Sequence, residues 1–352
     1  MKDKNYNHIP YMASIVRNLW LVVVTVLWLH VAPAKAQEGS SAYNFLDIPG
    51  SAQSFGLGGA AIALVDADVM LSDQNPALLG PEIGSQVALS YMHWLGSANF
   101  AGARYGMEAG ERGAWAVGIR YLGYGSMTAY EPDGSISGTF TPQDIVAEGT
   151  YSHDFNDRLR GGINLKMAYS NYEQYTAFAM AVDLGIDYYN PDNDLSFAVV
   201  LRNMGGQLKR FSDTYDRLPF DVQLGYMQGL GSSPFSLAIT ARHLTKWNLT
   251  SYHHEQGSED DMQPKSGFAR NLFRHLVFGL QYRPTDRFYL SLGYDYKMRT
   301  DMSTYQRNFL CGFSAGLGLN VRSFGLGVAY AMPHKGGSSV MVNLSMDLSS
   351  LL

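Results

Sequence analysis

The chain has little cysteine, little charge and no long run of like charges, and each shortage excludes a class of protein. Cys311 is the single cysteine, so no internal disulfide can form. Charged residues make up only 16% of the chain, the formal net charge is -5, and no basic stretch is long enough to suggest a nucleic-acid surface. The sequence therefore predicts neither a disulfide framework nor a nucleic-acid-binding protein.

The one long apolar run lies near the N-terminus and has the features of a secretion signal. It extends from Leu19 to Ala32, follows three basic residues and precedes an Ala-Lys-Ala cleavage site. The alternative is an uncleaved membrane anchor, but the run is shorter than the roughly 20 residues that span a bilayer. We therefore expect residues 1–36 to be a signal peptide and the mature chain to begin at Gln37.

Glycine and aromatic residues are abundant, with 37 glycines, 23 tyrosines and 17 phenylalanines, a composition that favours strands and tight turns. From Gln86 onward, apolar and polar residues alternate with a period of two, which is typical of strands whose two faces meet different surroundings. We predict about fourteen strands of roughly ten residues. They begin near Gln86, Ser97, Gly113, Gln143, Arg158, Tyr175, Asp194, Pro219, Pro234, Phe273, Arg287, Asn308, Arg322 and Ser338.

The links between these segments alternate between short and long. In outer-membrane barrels, short turns lie on the periplasmic side and longer loops on the external side, whereas a soluble β-sandwich has no reason to sort its links. The pattern predicts an all-β protein, a transmembrane antiparallel barrel of about 14 strands in the bacterial outer membrane. The long links are centred on residues 127–140, 205–217, 245–271 and 299–308.

Charged residues of the predicted strands fall on the face opposite the apolar side chains. A charge that faces hydrocarbon costs a few kcal/mol at mid-bilayer, so we expect these residues to point into the barrel and to pair there. On the apolar face, we expect Cys311 to face lipid beside Phe309 and Phe313. The expected inward charges are Arg120, Glu148, Arg160, Lys166, Asp183, Asp187, Arg202, Asp221, Arg242, Asp295 and Lys297.

Residues 51–80, SAQSFGLGGAAIALVDADVMLSDQNPALLG, contain a motif that fits a nucleotide-binding loop. Gly56, Gly58 and Ala61 match G-x-G-x-x-A, but a Pro-Gly pair stands where a buried strand must precede the motif. Asp66 also follows much sooner than the roughly 20 residues expected for a ribose-binding acid. The motif therefore does not predict a dinucleotide site.

We interpret the same stretch as a packed segment inside the barrel, because its small side chains permit close backbone contact. Residues 37–84 are predicted to form an N-terminal periplasmic hatch that enters the lumen from the periplasmic side, and residues 85–352 are predicted to form the barrel. The hatch motif consists of Gly56, Gly58, Gly59, Asn75, Pro76 and Ala77.

The Asn75-Pro76-Ala77 turn resembles the hatch of FadL-type fourteen-stranded outer-membrane barrels. The longer stretch DIPGSAQSFGLGGAAIALVDADVMLSDQNPALLG is similar to the start of the PorQ and PorV barrels of the type IX secretion system. The likeness to the PorQ type extends over nearly the whole mature chain in length, hatch and loop pattern. One departure is the C-terminal Leu351-Leu352, where many outer-membrane barrels end with an aromatic residue.

This resemblance implies a non-enzymatic component of the type IX attachment complex. There, a PorQ-type barrel works with the PorZ surface protein, the PorU sortase and the PorV barrel, and cargo is processed and attached to lipopolysaccharide. The implied partners are therefore outer-membrane lipid and lipopolysaccharide, a PorZ-like protein held at the surface, a PorU-like sortase and a PorV-like barrel. The alternative function is a FadL-like transport channel for hydrophobic solutes, because solute-transporting relatives carry the same Asn-Pro-Ala turn.

Residues suited to catalysis or metal binding are sparse. His253-His254 and the acids that follow in the same link lack the helical H-E-x-x-H spacing of a zinc site. Asp66, Asp68 and Asp73 lack the twelve-residue loop and the terminal glutamate of an EF-hand. A hydrolase whose residues come from separate strands stays open as another class. We predict no catalytic residue, no metal site and no cofactor.

The link over residues 245–271 is the longest in the chain, and connections of more than about 15 residues are usually functional or disordered. It contains Trp247, Tyr252 and Phe268 together with charges of both signs, a mixture suited to a protein interface. We predict that these three aromatic residues bind a partner. The alternative is a mobile cover over the pore mouth.

Overall fold

The computed structural model describes residues 43–94, 96–131, 133–212, 215–249, 252–254, 262–264, 267–301, 310–334 and 337–349. The predicted signal peptide and Gln37 lie outside these ranges. None of the helices in the described ranges is long and apolar enough to cross a membrane.

Fourteen antiparallel strands form one closed barrel. They are β1 (Ser85–His93), β2 (Asn99–Glu108), β3 (Gly113–Gly123), β4 (Gln143–Asn156), β5 (Leu159–Tyr172), β6 (Tyr175–Asn190), β7 (Leu195–Lys209), β8 (Asp221–Gly229), β9 (Phe235–Ala241), β10 (Leu276–Thr285), β11 (Phe288–Asp295), β12 (Phe313–Val321), β13 (Phe324–His334) and β14 (Gly337–Asp347). Consecutive strands pair, and the barrel closes where β1 pairs with β14, with Gln86 opposite Asp347. The predicted fold class is confirmed, and the predicted strand starts lie within a few residues of the observed ones.

All of the long links lie at one end of the barrel. Those between β3 and β4, β7 and β8, β9 and β10, and β11 and β12 are residues 124–142, 210–220, 242–275 and 296–312. The opposite end has short turns, such as residues 157–158. The alternation is incomplete, because β5 and β6 join through residues 173–174 at the end with the long links. We call the end with the long links the external end and the other the periplasmic end, as in other outer-membrane barrels.

Side chains alternate between the lipid face and the lumen along the strands. In β14, Val342 and Leu344 are exposed on the outside, whereas Met341 and Asn343 are buried inside. Most of the predicted inward charges are confirmed because they are buried in the lumen, and Arg160 and Arg242 are half-buried in ion pairs. The buried ones are Arg120, Glu148, Lys166, Asp183, Asp187, Arg202, Asp221 and Asp295.

Residues 43–84, which precede β1, lie inside the barrel. They form the short helix α1 (Ala52–Gly56) and four 3-10 helices, Asn44–Asp47, Val69–Asp73, Pro76–Leu78 and Pro81–Ile83. Tyr43 lies near the external end, where its hydroxyl accepts a hydrogen bond of 2.9 Å from Gln207 of β7. Ile83 lies at the periplasmic end, just before β1. The described part of the hatch therefore runs from the external end of the lumen to the periplasmic end, where it joins β1.

The described parts of the external links contain two helices, α2 (Phe268–His275) before β10 and α3 (Tyr296–Asp301) after β11. The strand alternation that predicted an inward Lys297 is therefore wrong, because β11 ends at Asp295 and the next residues are helical. Two small hairpins also leave the barrel at this end, Met127–Tyr130 with Ile136–Phe140 and Tyr252–His254 with Met262–Pro264.

The prediction that Cys311 faces lipid is also wrong. Cys311 is buried and lies in the turn before β12, ahead of Gly312 with its positive φ of 83°. The strand begins only at Phe313, so the alternation that placed Cys311 on the lipid face does not extend to it. Phe309 lies outside the described residues.

Candidate functional site

The hatch contacts the barrel wall at glycines of the strands. Gly162 of β5 and Gly185 of β6 face the Asn75-Pro76-Ala77 turn, and Gly293 of β11 faces the backbone at Gly58. A Cβ atom at any of these wall positions would overlap hatch atoms. Glycine is therefore required there for the two backbones to approach.

The glycines of the predicted hatch motif are placed against β11 and β12. The Gly58 amide donates to Ser314 Oγ at 3.0 Å, and Ser314 Oγ donates to the Gly56 carbonyl oxygen at 3.0 Å. Gly58 and Gly59 have positive φ values of 95° and 80°, a conformation that suits glycine. The motif thus forms a turn that packs against the barrel wall. Its Gly58 amide donates to a serine of the wall, and not to a phosphate.

The Asn75-Pro76-Ala77 turn is fixed by the asparagine side chain. Asn75 Oδ1 accepts from the Ala77 amide at 2.9 Å and caps the 3-10 helix Pro76–Leu78. Asn75 Nδ2 donates to the Ile62 carbonyl oxygen at 2.7 Å, which joins two parts of the hatch. The side chain therefore organises the part of the hatch that faces β5 and β6.

A buried ion cluster lies in the lumen around Glu148 of β4. Arg104 Nη2 is 2.7 Å from Glu148 Oε2, and Arg120 Nη2 is 2.6 Å from Glu148 Oε1, so each carboxylate oxygen has its own guanidinium. Both arginines also reach the hatch. Arg104 donates to Ser72 Oγ at 2.8 Å, and Arg120 donates to the Ile48 carbonyl oxygen at 3.0 Å. The cluster therefore ties the wall to two separate parts of the hatch.

Further polar contacts join the hatch to β7 and β14. Arg202 donates to the Leu46 carbonyl oxygen at 3.2 Å, and Asn203 Nδ2 donates to Asp47 Oδ1 at 2.9 Å. On the opposite wall, Asn343 Nδ2 donates to the Gly50 carbonyl oxygen at 2.8 Å. Because these bonds come from different sides of the barrel, the hatch is held across the lumen.

An apolar layer occupies the lumen on the external side of the ion cluster. Phe211 of the link between β7 and β8 stacks on Tyr172 of β5, with ring centroids 5.0 Å apart and planes at 9°. The layer combines hatch residues with inward-facing wall residues. Its larger buried members are Tyr43, Phe45, Leu46, Ile48, Phe55, Met92, Phe100, Leu122, Leu218 and Met341.

Asp66 and Asp68 are structural groups of the hatch near the periplasmic end, and Asp73 accepts a hydrogen bond of 2.7 Å from the Gly50 amide within the hatch. Asp68 Oδ1 accepts from the Met70 amide at 2.9 Å, and its Oδ2 accepts from Ser51 Oγ at 3.0 Å. Desolvation raises the pKa of the Asp68 carboxyl to about 6, although the Met70 amide opposes this shift. Asp66 pairs with Arg283 of β10. Within the described ranges, no group of His, Cys, Asp and Glu side chains is arranged to hold a metal ion.

Two of the three predicted partner-binding residues lie together at the external end. The rings of Trp247 and Phe268 have centroids 5.7 Å apart, and Trp247 also stacks on His275 at 5.2 Å. Trp247 is 47% exposed and Phe268 is 72% exposed. Tyr252 lies in a short strand of the same link, and its side chain, like those of His253 and His254, is outside the described part of the structure.

Sequence reasoning missed Arg104 and the wall glycines. Arg104 occupies an inward position of β2, so the alternation that identified Arg120 and Glu148 would also have identified it. The glycines interrupt the apolar and polar pattern inside strands, a signal of close backbone approach. The sequence does not show which hatch residue packs against each of these glycines.

No protein-family model and no curated protein matches the chain. Many solved structures match the chain, and two of those that match across most of its length are channels of known name. The Pseudomonas putida toluene transporter TodX has 12% sequence identity and a TM-score of 0.50, and covers 85% of this chain and 97% of its own. The CymD monoaromatic hydrocarbon channel has 13% identity and a TM-score of 0.51, and covers 87% of this chain and 97% of its own. The chain shares the barrel fold of these channels.

This likeness of fold, with the apolar outer surface, supports the outer membrane as the location of the barrel. At such low identity it is a likeness of fold. The hatch contacts described above are those of this chain's own residues.

Proposed function

We propose that the chain is a non-enzymatic, PorQ-type barrel that holds a partner protein at the external surface in the type IX attachment complex. The observation that carries this proposal is the occupied lumen. Buried ion pairs and wall glycines fix the hatch from several sides, and an apolar layer covers it on the external side. Because the interior of the barrel is fixed, the external links are the surface on which a partner can bind.

The identity of the partner rests on the sequence resemblance. It implies a PorZ-like surface protein, with a PorU-like sortase and a PorV-like barrel in the same complex and lipopolysaccharide as the attachment point of cargo. The external end supports a protein partner because its long links present aromatic side chains, which are enriched where proteins bind each other. Trp247, half-exposed beside Phe268, is the described side chain best suited to this role.

Replacing residues 248–267 with a short Gly-Ser turn is expected to release the PorZ-like protein from the cell surface into the culture medium. The replacement removes most of the longest external link and leaves β9, α2 and β10 intact. Immunoblots of cells and medium give the distribution of the partner, and heat-dependent migration on a denaturing gel shows that the barrel is folded.

The matched control is the same type of replacement in residues 230–234, the link between β8 and β9 at the periplasmic end. This control is expected to leave the partner on the cells. Full retention of the partner by the variant with the shortened external link, at a normal barrel level, would place docking elsewhere on the barrel.

A transport channel for hydrophobic solutes is the second candidate, and the fold comparisons favour it. TodX and CymD are described as a toluene transporter and a monoaromatic hydrocarbon channel. In this chain, β8 begins at Asp221 opposite Arg202, so residues 203–209 of β7 extend beyond it at the external end. That edge lies beside the apolar layer, to which Gln207 is joined through Tyr43. An apolar interior next to a wall edge suits an apolar ligand.

Uptake of labelled toluene distinguishes the two candidates. Cells that produce the barrel are expected to take up toluene at the same rate as cells that lack it, because the hatch is fixed across the lumen. Cells that produce CymD provide the positive control. A severalfold faster uptake with this barrel, at an outer-membrane level equal to that of CymD, would favour the channel over the scaffold.

A further inference from the structure

The barrel wall is much shorter on one side than on the other. β4 to β7 have 14, 14, 16 and 15 residues, whereas β9 and β11 have 7 and 8. A tilted strand needs roughly 9 to 11 residues to cross the hydrocarbon core of a bilayer. β9 and β11 are therefore too short to cover the core alone, and another element must continue the apolar surface at their external ends.

The chain places helices at that position. α2 leads directly into β10, and α3 directly follows β11. Even a short helix satisfies part of its backbone hydrogen bonds internally, so it suits the edge of the hydrocarbon better than an irregular loop does. The external margin of the short wall is thus built from elements compatible with lipid.

Asn271, Arg274 and His275 on one face of α2 contact other parts of the protein. Asn271 Oδ1 accepts from the Leu249 amide at 2.9 Å, and Arg274 pairs with Asp301 of α3. His275 has Nδ1 2.8 Å from the Arg242 carbonyl oxygen and Nε2 3.0 Å from the Trp247 carbonyl oxygen. These contacts fix the rotation of the helix, because positions 271, 274 and 275 lie on one face.

The opposite face of α2 is apolar and continues the lipid-facing surface of the wall. Phe268, Leu272 and Phe273 are 72%, 36% and 47% exposed. The Phe273 ring lies 6.3 Å from that of Phe278, an outward residue of β10 one position after the inward Val277. The apolar surface therefore extends without a break from β10 onto α2.

We propose that α2 lies in the outer leaflet of the membrane and that Phe268, Leu272 and Phe273 contact the boundary between lipid headgroups and acyl chains. Helices with one apolar and one polar face bind this boundary, and Arg270, which is exposed on the helix, suits the anionic phosphates there. This assignment gives Phe268 to lipid and leaves Trp247 and residues 248–267 to the protein partner.

Spin labelling of the barrel in bilayers that contain lipopolysaccharide tests this assignment. The background is Cys311→Ser, and the test variant is Leu272→Cys. Leu292→Cys on the outer face of β11 is the lipid reference, and Tyr130→Cys on the external hairpin is the water reference, their side chains being 56% and 66% exposed. The measurement is the ratio of nitroxide collisions with oxygen, which concentrates in hydrocarbon, to collisions with a water-soluble nickel chelate.

The label at position 272 is expected to give a ratio severalfold above that at 130 and closer to that at 292. A ratio closer to that at 130 would overturn the proposal. Heat-dependent migration verifies that each variant is folded, and Ala269→Cys, also exposed on α2, takes the place of Leu272→Cys if the latter does not fold. The result is independent of which partner the external links hold.

Discussion

Glu148→Gln is expected to lower the free energy of unfolding of the barrel by about 3–5 kcal/mol, the usual effect of removing one partner from a buried ion pair. Glutamine keeps the size of the side chain but removes the charge that both Arg104 and Arg120 face at 2.7 and 2.6 Å. The two guanidinium groups then stay buried without their main carboxylate. Tryptophan fluorescence during denaturant unfolding in detergent measures the change in the midpoint.

The control for this variant is Asp192→Asn at the periplasmic end. Asp192 pairs with Arg158 at 2.8 Å, but the two side chains are 71% and 48% exposed. Exposed pairs of this kind contribute about 0–1 kcal/mol, so the midpoint should barely change. Equal midpoints for the two variants would mean that the ion cluster does not hold the hatch to the wall.

Gly58→Trp is expected to remove most of the folded barrel from the outer membrane. Gly58 has a φ of 95°, which costs about 1–2 kcal/mol for a residue with a Cβ atom. The new side chain would also collide with Val277 of β10, and overpacking typically costs about 1–3 kcal/mol more. The amount of heat-modifiable barrel in outer-membrane fractions measures the loss.

Gly149→Trp makes the same chemical change at a place with free space. Gly149 lies on the outer face of β4, and apart from Gly149 and its two chain neighbours no residue has a heavy atom within 4 Å of the Cβ position. Tryptophan there meets lipid, so this variant is expected to reach the wild-type level. If the Gly58→Trp barrel accumulates equally well, the hatch does not pack against β10 and β11 as described.

Much of the wall follows from the period-two pattern, because lipid and lumen impose opposite demands on successive residues. The rule gives the strand number, and it places Lys166 and Asp183 in the lumen, where they pair at 2.6 Å. It fails at Lys297 and Cys311, because alternation does not show where a strand ends. Beyond the last ladder pairs the backbone is free to become a helix or a turn while the polar and apolar pattern continues for another residue or two.

The hatch is less accessible to sequence reasoning because it has no periodic pattern. Its small residues indicate close packing, but its direction depends on contacts such as Tyr43 with Gln207, between residues far apart in the chain. The same applies to the external surface. Composition identifies Trp247 and Phe268 as candidates. The rotation of α2 depends instead on Arg274, whose partner Asp301 lies in another link, and on His275, whose contacts lie far back in its own link.

The threading of the hatch through the lumen sets the order in which the protein can fold. Neighbouring strands form hairpins locally, but the β1–β14 seam joins opposite ends of the barrel sequence and is a slow, non-local step. The hatch precedes β1 and bonds to both β2 and β14, through Arg104 and Asn343. It must therefore be seated in the open sheet before the seam closes. The insertion machinery would then receive an unclosed sheet with its interior already in place, and a bulky domain fused ahead of Tyr43 should slow closure while leaving hairpin formation unaffected.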